Sequence, residues 1–242
     1  MPVEDGVEEA NRAIYQRYYQ AQGDARNDML ANPGVLFQSL AFEKANIRAL
    51  GKISLDRSAA RILDVGCGTG SSLISFIKLG FDPANLFGVD IEAERITMAK
   101  QRVPNVDFRA GDARELPFAD ESFDLVIEST MFVMIPDEAV AGAIAAEMLR
   151  VTRPGGHLML VDWRYGKPGN PDFRGLSNNR MRQLFDAGRQ TEVVTVERGA
   201  LIPPVGRFLS RVLPSLYFVI QGLVPPLAGQ TTTLLRKTAP RP

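Results

Sequence analysis

The chain has 242 residues, 45% of them apolar and 23% charged, a profile that fits one ordinary globular domain with embellishments and excludes a disordered chain. Basic and acidic residues number 28 each, so no net field recruits a polyanion and a nucleic-acid partner is not expected. Cys67 is the single cysteine, which excludes an intrachain disulfide and fits a reducing, cytoplasmic compartment.

The start, MPVEDGVEEANRAIYQ, is acidic and lacks the basic and apolar runs of a signal peptide. Val7 to Gln22, with Tyr15, Tyr18 and Tyr19, and Leu36 to Leu50 carry apolar residues at helical spacing. Between them GDARNDMLANPG reads as a loop, with Asn-Pro-Gly as its breaker. From Ala60 onward short β-branched runs alternate with helical stretches. RILDVG leads to a helix over Thr69 to Leu79, and LFGVDI to one over Ala93 to Arg102. VDFRAG and FDLVIES follow, then a helix over Asp137 to Arg150, then HLMLVDW. Such alternation predicts a parallel sheet covered on both faces. A helix near Asn179 to Ala187 precedes TEVVTVER. That run and the final TTTLLRKT have no crossover motif of their own, which suggests an antiparallel pair at the sheet edge. Between these two runs, Val212 to Leu235 holds no charged residue, but Pro214, Gly222, Pro225, Pro226 and Gly229 spoil a membrane-spanning helix. The division expected is a helical cap (1–58), an α/β core (59–198), an apolar insertion or lid (199–229), and a final strand and tail (230–242).

The segment ILDVGCGTGSS carries the most chemistry. A buried strand ends in Gly66, Gly68 and Gly70 and a helix begins at once, so the backbone can turn tightly and approach a ligand with no Cβ between. The first amides of that helix are then offered to something polar or anionic. Asp90 closes the next strand, about twenty residues on, where a carboxylate can take both hydroxyls of a ribose. Dinucleotide enzymes space these glycines G-x-G-x-x-G, whereas here they read G-x-G-x-G with Ser71 next. The tighter spacing, with Asp64 inside the strand, suits a ligand with an amino-acid end. Asp64 either meets its ammonium, directly or through water, or caps the loop's own amides.

In these blocks the chain resembles the class I S-adenosylmethionine-dependent methyltransferases. ILDVGCGTG is similar to their first motif and GVDIEAERITMAKQRV to their ribose-binding turn. FRAGDARELPFADESFDLVIES resembles their adenine-binding stretch, and LRVTRPGGHLMLVDW their turn into a fifth strand. The resemblance spans about residues 60 to 165. It implies a doubly wound α/β fold with a mostly parallel seven-stranded sheet; the antiparallel edge strand, the helical N-terminal extension and the helical insertion before the last strand are read from the residues that flank it. It also implies S-adenosylmethionine as methyl donor and S-adenosylhomocysteine as product; no His, Cys and Asp cluster has metal-ligand spacing, so no metal is expected.

Carried over by position, Gly66, Cys67, Gly68 and Gly70 back the methionine end of the donor and Asp90 holds its ribose. Ile91 lies on one adenine face, Asp112, after Gly111, accepts from the adenine amino group, and Ala113 leaves room beside it. Glu128 and Ser129 face donor and acceptor. The histidines that many small-molecule relatives carry after the fourth strand are absent from ESTMFVMIPDE. His157, at the start of a strand, reads as a strand-edge side chain. A base, if one is used, is then Glu128, Asp162 or an N-terminal tyrosine. Neutral charge and the apolar insertion favour O- or C-methylation of a small-molecule or lipid-linked acceptor over nucleic acid. A contact with a membrane surface through 208–228 and a homodimer both fit that insertion, whose Phe208, Leu213, Tyr217 and Phe218 are expected to turn inward over the acceptor. The alternative function is a regulator or scaffold that binds the donor or its product without catalysis.

Overall fold

A computed structural model of the protein describes residues 28–238; the helix expected over Val7 to Gln22 lies outside them. The first helix, α1 (Pro33–Leu50), starts at the Asn-Pro-Gly breaker. Asn32 is its N-cap and accepts the Gly34 amide at 3.1 Å, while Pro33 fills the first-turn position where no amide is needed. The α/β core follows as β1 (Ile62–Val65), α2 (Ser71–Lys78), β2 (Leu86–Asp90), α3 (Ala93–Arg102), β3 (Asp107–Ala110), β4 (Phe123–Ser129), α4 (Glu138–Val151) and β5 (Thr152–Trp163). Then come α5 (Asn178–Leu184), β6 (Thr191–Arg198), α6 (Pro203–Val212), α7 (Tyr217–Leu223) and β7 (Gln230–Lys237). Asp137, expected inside α4, is instead its N-cap, its carboxylate accepting the amides of Ala139 and Val140.

The strands form one sheet in the order β3-β2-β1-β4-β5-β7-β6. β1 to β5 run parallel, and β7 runs antiparallel to both neighbours, β5 and β6. The antiparallel strand thus lies one place in from the edge. Burial explains which of the last two strands is outermost: β7 is buried over its first six residues, Gln230 to Leu235, whereas most of β6 is exposed or half-buried.

Side chains on one face of the sheet, Leu63, Val65, Val126, Leu158 and Leu160, pack on Val140, Ile144 and Met148 of α4 and Met181 of α5. On the other face Ile62, Leu125, Ile127, Met159 and Val161 meet Leu73 and Phe76 of α2, Ile96 and Ala99 of α3, and Ala49 of α1. Burying residues of this size contributes about 1.5–3 kcal/mol each, which makes the two-sided core the main source of stability. α1 turns Ala41, Ala45 and Ala49 inward, and these small residues let it lie close. Lys44 donates to Gln221 at 2.7 Å, and the Thr232 hydroxyl to Asn46 at 2.7 Å, so α1 is pinned to both α7 and β7.

The insertion does form short helices, but not all the expected side chains turn inward. Tyr217 is buried and Phe218 half-buried, both against Phe37 of α1, whereas Phe208 and Leu213 are 58% and 44% exposed. On α6 it is Leu209, one residue on, that points inward beside Gly206 and Ser210. Among the described residues no helix is long and apolar enough to cross a membrane.

Candidate functional site

The carboxyl ends of β1, β2 and β4 open onto a cavity of about 370 Å³. Its floor is the glycine loop, where Gly66, Gly68 and Gly70 take φ of 73°, 54° and 80°. Other residues pay to adopt that left-handed region. At Gly70 space is as decisive as φ, because a Cβ would sit 2.8 Å from the Phe108 ring. Gly70 caps α2 without a side chain, so the first turn of that helix, with Ser71 and Ser72 on the cavity wall, keeps its amides for a ligand.

Asp90 is held at both oxygens. The Gly68 amide donates to one at 2.7 Å and the Glu92 amide to the other at 3.0 Å, ordering loop and carboxylate together. Burial nevertheless holds Asp90 above the usual carboxylate range, because those amides offset only part of the desolvation. Each oxygen keeps a second lone pair, enough for a diol. Ile91, Gly111, Asp112, Ala113 and Ser129 line the same cavity. Asp112 is engaged by Arg114, which reaches it at 2.6 and 2.8 Å. Burial works against ionisation there, but the Arg114 contacts prevail and hold the carboxyl below its ordinary value.

Asp64 lies under the loop, 1% exposed, on the face opposite Leu63 and Val65. The Ser72 hydroxyl lies close enough to favour the ionised form slightly, yet neither carboxylate oxygen has a partner in hydrogen-bonding geometry among the described residues. It caps none of the loop amides: those of Gly66 and Cys67 go to the Val89 carbonyl and that of Gly68 to Asp90. Burial, reinforced by the charge of Asp90, pushes Asp64 up to about 8. An orphaned buried carboxylate beneath a glycine cradle fits a cationic group overhead, such as an amino acid's ammonium. The Cys67 thiol, buried against Gly88, is pushed far up by the same desolvation and is not a nucleophile.

A second cavity of about 320 Å³ adjoins the first, and Thr130 and Met134 line both. Its walls come from α1 (Val35, Gln38, Phe42), the end of β5 and the segment after it (Trp163, Tyr165, Lys167, Phe173) and the insertion (Leu201, Pro203, Arg207, Tyr217). Thr130 holds φ at 64°, a costly conformation for a β-branched residue. Its amide is tied to the Val161 carbonyl at 2.9 Å, which keeps the residue at the junction.

Glu128 and Asp162, like Asp64, lie behind the cavity walls rather than on them, and one oxygen of Glu128 likewise has no hydrogen-bond partner among the described residues. Both are buried and face α4, since Glu128 shares its side of the sheet with Val126 and Leu160. Glu128 accepts the Met131 amide at 3.0 Å, while Asp162 accepts those of Val133 at 2.8 Å and Trp163 at 2.7 Å. Burial raises both, and for Glu128 the adjacent Asp162 charge adds to it. Their visible work is to hold the turn at Phe132–Met134 between the two cavities. Arg180 of α5 shares that work: it is 5% exposed and donates to the carbonyls of Phe132, Ile135 and Arg174 at 3.0, 2.6 and 2.6 Å. His157 pairs with Leu125 and Arg236 in the first half of β5, about 16 Å along the strand from Asp162 at ~3.3 Å per residue. Burial lowers its basicity there.

Sequence reading did not single out Thr130, Arg95, Arg114, Trp163 or Tyr165. Arg95 lines the donor-side cavity, its guanidinium 3.1 Å from where a Cβ of Gly68 would lie. Its position on the first turn of α3, after Asp90, was the available signal. For Thr130 there was none, because a positive φ at threonine leaves no mark in sequence. Among the described residues no three His, Cys, Asp or Glu side chains gather to hold a metal ion.

Residues 62–156 match the family model described as Methyltransferase domain. The chain is 34% identical over 204 residues to the phthiotriol/phenolphthiotriol dimycocerosates methyltransferase of Mycobacterium leprae, covering 76% of this chain and 74% of that protein. It is also 34% identical over 142 residues to the demethylmenaquinone methyltransferase of Renibacterium salmoninarum, covering 59% of this chain but only 54% of the relative, about half its length. Among solved structures, geranyl diphosphate C-methyltransferase from Streptomyces coelicolor, in complex with Mg²⁺, geranyl diphosphate and S-adenosyl-L-homocysteine, superposes with a TM-score of 0.58. That match is at 17% identity over 83% of this chain and 77% of the other, a likeness of fold alone.

Proposed function

Because the chain belongs to the class I S-adenosylmethionine-dependent methyltransferase family, we propose that it transfers the donor's methyl group to a small-molecule or lipid-linked acceptor held in the second cavity. The observation that carries this reading is the contact of two cavities through Thr130 and Met134, one floored by the glycine loop and the other walled by Trp163, Tyr165, Phe173 and Tyr217. The named substrates of the relatives, a demethylmenaquinone and phthiotriol lipids, agree with an aromatic or lipid acceptor here.

The donor supplies an activated methyl on a sulfonium. The protein's part is therefore alignment and the exclusion of water. In this reading Asp90 orients the ribose, Ile91 and Ala113 flank the adenine, and Asp64 balances the ammonium from below. Asp112, already paired with Arg114, has one carboxylate oxygen with room to take the adenine amino group. Thr130 and Met134 then define the line of transfer. Glu128 and Asp162 act as positioning residues for that wall; a base is needed only for an acceptor that must lose a proton.

The test is calorimetry followed by single-turnover methylation of a pool of quinols, phenols and hydroxylated lipids. S-adenosylmethionine and S-adenosylhomocysteine should bind near micromolar affinity, about −8 kcal/mol, and label should appear in an acceptor. No heat with either compound defeats the reading. Tight donor binding with no labelled product from any acceptor leaves the donor-binding regulator instead.

A further inference from the structure

The two helices of the insertion have an inner and an outer side. The inner side, with Leu201, Gly206 and Tyr217, walls the acceptor-side cavity. The outer side exposes Phe208, Val212, Leu213, Leu216, Val219 and Leu223, between 39% and 76% each, within sixteen residues of chain. Soluble surfaces seldom gather large apolar side chains this densely without a use. Arg211 stands exposed on α6 among these side chains, outside both cavities, while Arg207 lies at the rim of the acceptor-side cavity. No Asp or Glu occurs after Glu197, while Arg198, Arg207, Arg211, Arg236, Lys237 and Arg241 do. A neutral protein thus keeps an apolar segment with an exposed arginine and no acid of its own on the outside of its acceptor cavity.

We propose that α6 and α7 dock on an anionic lipid bilayer, with Phe208, Val212 and Leu223 entering the headgroup–acyl boundary and Arg211 meeting lipid phosphates. Apolar side chains beside arginines, with no carboxylate among them, are what an interfacial helix requires. A second copy of the chain is the competing occupant. A two-fold interface through this segment gathers the arginines of both copies into one seam in which the segment supplies no acid to pair them, which opposes association. Docking in this orientation sets the acceptor cavity directly behind the bilayer surface, so an acceptor dissolved in the membrane enters without crossing bulk water. That consequence, unlike the docking, rests on the methyl-transfer reading.

Flotation of the full chain with vesicles tests it, in the absence of donor. The protein should partition onto phosphatidylglycerol–phosphatidylcholine vesicles at least about tenfold more strongly than onto pure phosphatidylcholine, and high salt should weaken the binding. Phe208→Ser with Leu223→Ser, at two positions outside both cavities, should cut partition about tenfold or more with an unchanged circular dichroism spectrum. Single Arg211→Glu, which removes no apolar contact, should do the same on anionic vesicles only. Parent protein that floats with no vesicle overturns the proposal. So does a parent dimer that the Ser variant converts to monomer, which makes the face an interface between copies. Thermal shift with S-adenosylhomocysteine is read separately: its absence counts against methyl transfer, not against docking.

Discussion

Replacing Asp64 with Asn tests the origin of the orphaned carboxyl beneath the glycine loop. In the unfolded chain this group titrates near 3.8, and in the fold burial and Asp90 move it to about 8. Between those values the folded protein binds the proton and the unfolded chain does not, so stability falls as pH rises through that window and levels off above it. At about 1.36 kcal/mol per pH unit, the penalty near pH 7.5 reaches an upper bound of roughly 5 kcal/mol. Asn has nearly the same shape and never ionises, but it brings an amide whose hydrogens also lack partners, at a cost of about 1–3 kcal/mol. The net expectation is an apo variant about 2 kcal/mol more stable near pH 7.5. Below about pH 4, where the parent Asp64 is protonated in both states, the gain vanishes and the amide cost remains. Urea unfolding at the two pH values measures this directly, since the midpoint should move while the slope stays fixed. The same substitution should weaken S-adenosylhomocysteine about tenfold, and binding by the parent near pH 7 should release protons, seen as a dependence of calorimetric heat on buffer. A variant that unfolds like the parent near pH 7.5, or a gain that persists in acid, refutes the account of Asp64.

Three further outcomes follow from the site. Asp90→Ala should cost about 1.5–3 kcal/mol of donor affinity by calorimetry, since a charge-assisted contact goes and the Gly68 and Glu92 amides lose their acceptor. Arg180→Met should destabilise by about 3–5 kcal/mol in denaturant, because two buried carbonyls, the part-buried Arg174 carbonyl and Glu138 lose one donor, and it should slow turnover more than it weakens donor binding. His157→Ala should leave methyl transfer within a few-fold of the parent at every pH tested. A loss of a hundredfold, about 2.7 kcal/mol, would mean that this residue reaches the reacting groups.

Much of this was legible in the chain. The glycine loop, Asp90 and the alternation of strands and helices are written locally, since a left-handed turn needs glycine and a doubly covered strand needs an unbroken apolar run. Ala93 to Arg102 reads as a helix and is one at both ends. Glu128 and Asp162 were not legible in the same way. In a sheet covered on both faces the alternation of side chains leaves no polar–apolar pattern, so sequence cannot tell which strand-end carboxylates meet the cavity and which face α4. The inward residues of the insertion failed for a related reason. Phe208 and Leu209 are adjacent and both apolar, and only the small residues that approach α1 decide that Leu209 turns in. Thr130 depended on backbone strain imposed by its neighbours, which no local rule encodes.

The interior position of β7 has a consequence for how the molecule assembles. It follows every other strand in sequence, yet it supplies the hydrogen-bonding partners of both β5 and β6. Until residues 230–237 are available, β5 has an open edge and β6 has no neighbour on which to form. The five parallel strands and the glycine loop can condense earlier, since β1 to β4 pair only with one another and with β5. During synthesis the donor half is therefore able to precede the acceptor half, with Met159 and Val161 resting against a gap that Leu234 has yet to fill. A nascent chain stalled before β7 should be aggregation-prone at that edge, and should already protect its amino-terminal half from protease.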